Sequence, residues 1–112
     1  MAKVGQLMLD HGRVAGKQIV PERWVALACS PMVDESASGY RYGLLWWLRN
    51  PLTDDTSLPS CHASGNGGQK IFVFPSVDAV VVFTGSNYNR ARLSHQQPVE
   101  MLNRAILPAL TK

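Results

Sequence analysis

Apolar residues at helical spacing predict two helices in the first part of the chain. The first helix has three apolar residues on one face: Val4, Leu7 and Met8. Gly12 follows as its C-terminal stop, because glycine readily adopts the left-handed conformation that ends many helices. The second helix begins at Pro21, since proline is favoured at first helical positions, and Pro31 ends it. Its apolar side consists of Trp24, Val25 and Ala28.

The middle of the chain has the apolar runs of strands. An aromatic and apolar run predicts a strand over residues 40–48, and a polar, proline-bounded loop follows over residues 51–60. Two more runs, QKIFVFP at 69–75 and AVVVFTG at 79–85, predict strands with a short link between them. A link this short makes the two strands an antiparallel hairpin. The second run is apolar at consecutive positions, which is typical of a strand buried on both faces.

The C-terminal part is predicted as a loop over residues 86–97 and a helix over residues 98–110. Pro98 lies near the start of this helix, and Pro108 distorts its last turn. The inner face of the helix carries Val99, Leu102, Ala105, Ile106 and Leu110. Two helices, three strands and one helix (ααβββα) predict a single α+β domain over residues 1–112. Its antiparallel sheet has about three strands, with helices packed on it.

Composition and charge narrow the function classes. The chain has 112 residues and a net charge of +3, and its basic residues are scattered rather than clustered, so we expect no nucleic-acid partner. No apolar run approaches the roughly 20 residues that span a bilayer, so we expect no membrane segment. Cys29 and Cys61 are predicted to be two buried thiols rather than a disulfide. Cys61 and His62 are adjacent rather than spaced as metal ligands, so no metal or other cofactor is predicted.

The stretch HASGNGGQK, residues 62–70, lies between two apolar segments and contains three glycines. It does not fit the Walker or the dinucleotide-binding pattern, because the glycine spacing differs and a strand, not a helix, follows. Asn66-Gly67 favours a type I′ hairpin turn, since both residue types tolerate positive φ. That interpretation leaves Gly65 and Gly68 unexplained, because glycine in a strand usually marks a bulge or a close approach.

Several segments together resemble a known family. The segments are MAKVGQLMLDHGRVAGKQIVPERWV, YRYGLLWWL, HASGNGGQKIFVFPSVDAVVVFTGSNYN and ILPAL. In this order they are similar to the C-terminal part of the serine β-lactamase superfamily. The similarity is to its class C-like branch of esterases, D-aminopeptidase-type enzymes and amide hydrolases, which are related to penicillin-binding proteins. The resemblance implies a fragment of a hydrolase that cleaves a small-molecule amide or ester through an acyl-serine intermediate.

The family uses three sequence motifs, and this chain has only one of them. The S-x-x-K motif of the nucleophile and the Y-x-N motif of the general base are both absent, so no catalytic residue is assigned. The third motif lines the pocket and helps to form the oxyanion hole. The resemblance places it at His62, Ala63, Ser64, Gly65, Asn66, Gly67 and Gly68. Its register stays open between residues 62–64 and residues 63–65.

Two other functions remain as alternatives. A free-standing α+β binding or interaction module without catalytic activity is the alternative to the hydrolase fragment. A small hydrolase with an unrecognised site is the third possibility. Ser64, His62 and Asp78 could form a triad in it, although Asp78 also has the sequence context of a turn. For the hydrolase fragment, we expect the partner to be the missing N-terminal part of the domain or a second copy of the chain. The sequence does not define a cellular location.

Overall fold

The computed structural model describes residues 1–35, 40–48 and 58–112. In this part of the chain the fold is α+β, as predicted, with four α-helices and eight strands. The helices are α1 (Ala2–Leu9), α2 (Glu22–Ala28), α3 (Ala91–Met101) and α4 (Leu107–Leu110). The strands are β1 (Arg13–Val14), β2 (Lys17–Gln18), β3 (Val33–Glu35), β4 (Tyr40–Tyr42), β5 (Trp47–Leu48), β6 (Cys61–Ser64), β7 (Lys70–Phe74) and β8 (Ala79–Phe83). Most of the predicted 51–60 loop lies outside the described residues.

The strands form two antiparallel sheets. β1 and β2 make a small hairpin, and β3 to β8 form a six-stranded sheet in which every strand pairs with its neighbour in sequence. The main sheet has six strands, so the prediction of about three strands is wrong. The predicted order of elements, ααβββα, is wrong for the same reason. One cause is that the predicted strand over residues 40–48 is two strands. The chain reverses between β4 and β5 through Leu45, whose φ is +66°.

The hairpin of β7 and β8 is confirmed. The two strands pair from Lys70 opposite Phe83 to Phe74 opposite Ala79, and a 3₁₀ turn over Pro75–Val77 joins them. Every residue of β7 is buried, whereas every residue of β8 is only half-buried. The prediction that β8 is buried on both faces is wrong in degree, because β8 is the last strand of the sheet.

Helices cover both faces of the sheet. On one face, α1 and α2 pack against Ile71 and Val73 through Met8, Leu9 and Ala28. Gly5 is the buried residue of α1, and a Cβ there would lie 2.8 Å from the Ile71 side chain. This close approach turns the helix so that Val4, predicted on the inner face, is exposed. Trp24 is likewise exposed, whereas Val25 and Ala28 of α2 are buried as predicted.

The C-terminal helices cover the other face. Phe72 and Phe74 pack there against Leu102 and Leu107. Helix α3 begins at Ala91, so the prediction of a loop over residues 86–97 is wrong, and Pro98 lies inside the helix rather than near its start. Of the predicted inner face, two residues are exposed: Ala105 and Leu110.

The predicted distortion at Pro108 is confirmed. A π-helical segment, Leu102–Ile106, joins α3 to α4 and ends two residues before this proline. Proline has no N–H to donate to the carbonyl four residues earlier, so a regular helix is interrupted there. Among the described residues, no helix has both the length and the apolar character needed to cross a bilayer.

The two cysteines form a disulfide. Cys29 caps the C-terminal end of α2, and Cys61 begins β6, with 5.7 Å between their Cα atoms. The prediction of two free thiols is wrong because it judged each cysteine by its apolar neighbours. The fold brings residues 32 positions apart onto the same face of the sheet.

Candidate functional site

The glycine-containing stretch lies where β6 turns into β7. The two strands are antiparallel, with Ser64 opposite Lys70, so the stretch is a hairpin connection. The φ angles of Gly67 and Gly68 are +101° and +98°, which confirms the expectation of a special backbone here. Asn66 is not among the residues with positive φ, so the predicted type I′ turn at Asn66-Gly67 does not form.

The two glycines are buried against other parts of the protein, and Gly67 has no space for a side chain. A Cβ on Gly67 would lie 2.9 Å from the ring of Tyr88, and one on Gly68 would lie 3.5 Å from the carbonyl oxygen of Ser94. The turn therefore packs against the segment after β8 and against the start of α3. The space at these two positions is filled by the chain itself and is not open to a substrate.

Amide side chains hold the turn in place. The Asn66 side chain donates to Asn89 Oδ1 at 3.1 Å and accepts from the Asn89 backbone N–H at 3.0 Å. Gln69 Nε2 donates to the carbonyl oxygen of Gly85 at 2.7 Å. The Asn87 N–H donates to the carbonyl oxygen of Gly67 at 3.0 Å. These contacts fix the position of the hairpin, and the sequence analysis did not foresee them because the partners lie about twenty residues away.

The backbone of Ser64 lies at an open edge of the sheet. The Gly65 N–H donates to the carbonyl oxygen of Gln69 at 2.9 Å. Because the bonding direction alternates along an antiparallel strand, the Ser64 N–H and C=O point away from β7, toward β5. Among the described residues of β6, only Cys61 and His62 pair with β5. In the same register Leu45 would face Ser64, but it lies in the preceding turn and is 76% exposed.

A buried lysine contacts the Ser64 side chain. Lys70 is 3% exposed, and its Nζ donates to Ser64 Oγ at 2.6 Å and lies 3.4 Å from His95 Nδ1. Desolvation by burial lowers the pKa of Lys70 below its ordinary value. Within the described ranges no carboxylate forms an ion pair with Lys70. In the sequence, Lys70 is one of the scattered cations, and only its place opposite Ser64 in the hairpin indicates the pair.

His62 and Asp78 do not form a triad with Ser64. The His62 ring is buried and stacks on Phe72, with 4.9 Å between ring centroids. Asp78 follows the turn after Phe74, at the opposite end of β7 from the Ser64–Lys70 pair. The two ends of β7, Lys70 and Phe74, are four residue steps apart, which is about 13 Å.

The aromatic residues near the sheet pack against other parts of the protein, and the described residues form no metal site. Trp46 is buried and Trp47 is half-buried. Tyr88 is 58% exposed and covers Gly67. Across residues 1–35, 40–48 and 58–112, no group of three or more His, Cys, Asp or Glu side chains is arranged to hold a metal ion.

Comparisons with known proteins add no assignment. No protein-family model matches the sequence, and no curated protein matches it.

Proposed function

We propose that this chain forms one wall of the substrate pocket in a β-lactamase-like serine hydrolase. The wall is the segment Ala63–Ser64–Gly65, and the reaction is hydrolysis of an amide or ester through an acyl-serine intermediate. In this wall the third motif occupies residues 63–65, the second of its two possible registers. The acylated serine belongs to a segment that is not part of this sequence, since the S-x-x-K and Y-x-N motifs are absent.

The observation that carries the proposal is the outward direction of the Ser64 N–H. An oxyanion hole needs a backbone donor that is already aimed at the position where negative charge develops. The Ser64 N–H is turned away from β7, and β5 ends before reaching it. The hairpin contacts of Asn66 and Gln69 hold this backbone in place, so the donor need not reorganise during the reaction.

Lys70 supports the same assignment. Its Nζ contacts the Ser64 side chain on the inner side of the hairpin and brings a basic group close to the open edge. A basic residue, a hydroxyl or small residue and a glycine are the components of the third motif. Here the hydroxyl and the glycine are Ser64 and Gly65, and the neighbouring strand supplies a basic group through Lys70.

The first test is made on the 112-residue chain itself. We expect no labelling by a fluorophosphonate probe and no hydrolysis of nitrocefin or p-nitrophenyl esters, because the nucleophile motif is missing. Labelling of Ser64, with loss of turnover in Ser64→Ala, would contradict the proposal and would instead support a self-contained site.

The second test extends the reading frame upstream of Met1 and expresses the longer chain. We expect an S-x-x-K motif upstream and ester or amide hydrolysis by the longer protein. Ser64→Pro removes the N–H at the open edge and should lower kcat by about 100-fold, the usual effect of losing one oxyanion donor. Ser64→Ala keeps the N–H and is the matched control.

Proline at this position does not remove a hydrogen bond of the β6–β7 ladder, because the Ser64 N–H points the other way. The thermal transition of each variant confirms folding. An upstream frame without the motif, or equal kcat values for the folded Ser64→Pro and Ser64→Ala variants, would contradict the proposal.

A further inference from the structure

The sequence has one asparagine that is followed by glycine, Asn66, and it lies at the tip of the β6–β7 hairpin. The other asparagines precede larger residues or a proline: Asn50, Asn87, Asn89 and Asn103. Because glycine has no side chain, its backbone nitrogen can approach the side-chain carbonyl carbon of the preceding asparagine. Asn66 is therefore the asparagine of this chain whose side chain is most open to attack by its own backbone.

Asn89 holds the Asn66 side chain in the folded protein. Asn66 Nδ2 donates to Asn89 Oδ1 at 3.1 Å, and Asn66 Oδ1 accepts from the Asn89 backbone N–H at 3.0 Å. Both polar atoms of the Asn66 amide are thus bound to a residue 23 positions further along the chain. Attack by the Gly67 nitrogen draws the amide back onto its own backbone, so both hydrogen bonds have to break first. These two residues are called the amide pair below.

The backbone of Gly67 is held by the same segment. Its φ is +101°, the Tyr88 ring packs against it, and its carbonyl oxygen accepts from the Asn87 N–H at 3.0 Å. The turn therefore has to separate from residues 87–89 before the reaction can occur. Native proteins open locally at surface turns at a much lower cost than global unfolding. Asn66 and Asn89 are both exposed, so water reaches the opened turn.

We propose that Asn66 is a site of spontaneous deamidation and that the amide pair controls its rate. When the turn opens, the Gly67 nitrogen gives its proton to hydroxide and attacks Asn66 Cγ. The new N–Cγ bond closes a cyclic imide, the Cγ–Nδ2 bond breaks, and the nitrogen leaves as ammonia after taking a proton from water. Water then opens the ring at Cγ, which gives aspartate, or at the main-chain carbonyl carbon of residue 66, which gives isoaspartate. No atom is oxidised or reduced.

Neither product can restore the amide pair. A carboxylate only accepts hydrogen bonds, so aspartate at this position cannot donate to Asn89 Oδ1, and two oxygens would face each other there. Isoaspartate adds a methylene carbon to the main chain at the hairpin tip. Deamidation therefore releases the tip from residues 87–89 and is not reversed by refolding. The inference concerns the turn itself and does not depend on the hydrolase proposal.

The test follows deamidation of the oxidised 112-residue chain at mildly alkaline pH. Peptide mass spectrometry locates the replacement of an amide nitrogen by oxygen, and an isoaspartate assay identifies the second product. We expect conversion at Asn66 and at no other asparagine over the same period. Conversion should be at least tenfold faster in guanidinium chloride, where the amide pair is absent, than in the native protein.

A variant and a matched control separate the amide pair from the rest of the turn. Asn89→Gly removes the acceptor of the Asn66 amide, and glycine suits the φ of +58° at this position. Conversion of Asn66 should be severalfold faster in this variant than in the wild type. Gln96→Ala removes another exposed hydrogen bond between side chains, from Arg92 in α3, and should leave the rate unchanged.

Asn66→Asp reproduces one product directly. It should lower the Tm, because the carboxylate cannot donate to Asn89 Oδ1. Gln96→Glu is the control, since it introduces the same charge at an exposed amide whose oxygen accepts from Arg92 Nε, and its Tm should not fall.

Absence of conversion at Asn66 in denaturant would overturn the assignment of the site. Equal rates in the native and denatured chains, or in the wild type and the folded Asn89→Gly variant, would show that the amide pair does not control the reaction. If Asn89→Gly does not fold, the comparison of native and denatured wild-type chains decides. A Tm of Asn66→Asp equal to that of the wild type would overturn the release of the hairpin tip.

Discussion

Burial of Lys70 makes the stability of the fold depend on pH. Its side chain is 3% exposed, and its neighbours, Ser64 and His95, are not acidic. Desolvation lowers the pKa of Lys70 from 10.5. The unfolded chain therefore binds more protons than the native protein between the lowered pKa and 10.5, so stability rises with pH in that interval. Below the lowered pKa, the native state carries the full cost of the buried charge.

Lys70→Met tests whether burial of this one side chain makes the stability depend on pH. Methionine has a similar length and no charge, so the rise in the free energy of unfolding between the lowered pKa of Lys70 and 10.5 should disappear. Urea titrations at several pH values measure the effect. Lys3→Met, an exposed lysine of α1, is the control and should keep the wild-type profile. A profile for Lys70→Met that still parallels the wild type would show that burial of Lys70 does not govern the pH dependence.

Single residues of the site could be predicted only as far as local chemistry determines them. Glycine at 67 and 68 indicated a special backbone, and both residues have positive φ. The contact that excludes a side chain at Gly67 comes from the Tyr88 ring, and nothing near the glycine in sequence indicates it. Lys70 illustrates the same limit, because only the β6–β7 register reveals that it faces Ser64.

At the level of elements, the disulfide joins α2 to the central sheet. Cys29 ends the helix and Cys61 opens β6, and the bond closes a segment in which the residues are 32 positions apart. A crosslink over a segment of this length reduces the entropy of the unfolded chain by an amount worth about 3–4 kcal/mol. Both cysteines also line a cavity of about 370 Å³ between α1, α2 and the sheet.

The Cys29→Ser/Cys61→Ser double variant should therefore lose about 3–4 kcal/mol of unfolding free energy. Denaturant titration measures the loss, and reduction of the wild-type protein should produce a similar change. Ser86→Ala, an exposed substitution after β8, should leave the stability within experimental error. Two thiols that react in denaturant without prior reduction would contradict the disulfide.

Elements were predictable where one local pattern dominates. Helices α1 and α2 and the β7–β8 hairpin have clear apolar spacing and end at glycine or proline, and the structure confirms them. Strands β4 and β5 were missed as a pair because the turn at Leu45 uses an apolar residue with positive φ rather than glycine. Helix α3 was missed because Pro98 resembles a helix start, whereas it lies inside a helix that begins at Ala91.

At the scale of the whole molecule, the described residues form a six-stranded sheet that is covered on both faces and has an unprotected edge at β8. Helices pack on both faces, and β3 to β8 follow each other in order, which leaves β8 at the edge. This arrangement could not be read from the sequence, since the number of strands and the last strand of the sheet depend on long-range pairing. β8 consists of Ala79–Phe83, five consecutive apolar residues without a charge or a proline. Edge strands usually carry a charged residue or a proline, which protects them against pairing with other chains.

We expect this edge to make the chain self-associate. The Ile71 backbone faces β6, so the alternation of hydrogen bonds directs the N–H groups of Val80 and Val82 outward from β8. These groups, with the half-buried apolar side chains around them, form a template for a second copy. Size-exclusion chromatography with light scattering at micromolar concentration should give a dimer or larger species rather than the 12.3 kDa monomer.

Val82→Pro removes one outward N–H and keeps every hydrogen bond between β7 and β8, so the variant should be monomeric and still unfold cooperatively. Val82→Ile keeps the N–H and is the matched control, which should associate like the wild type. If the wild-type chain is instead a monomer with a cooperative transition and little binding of a hydrophobic dye, the open edge does not recruit a partner. That result would favour a free-standing module that closes on itself over a hydrolase wall that needs a further segment.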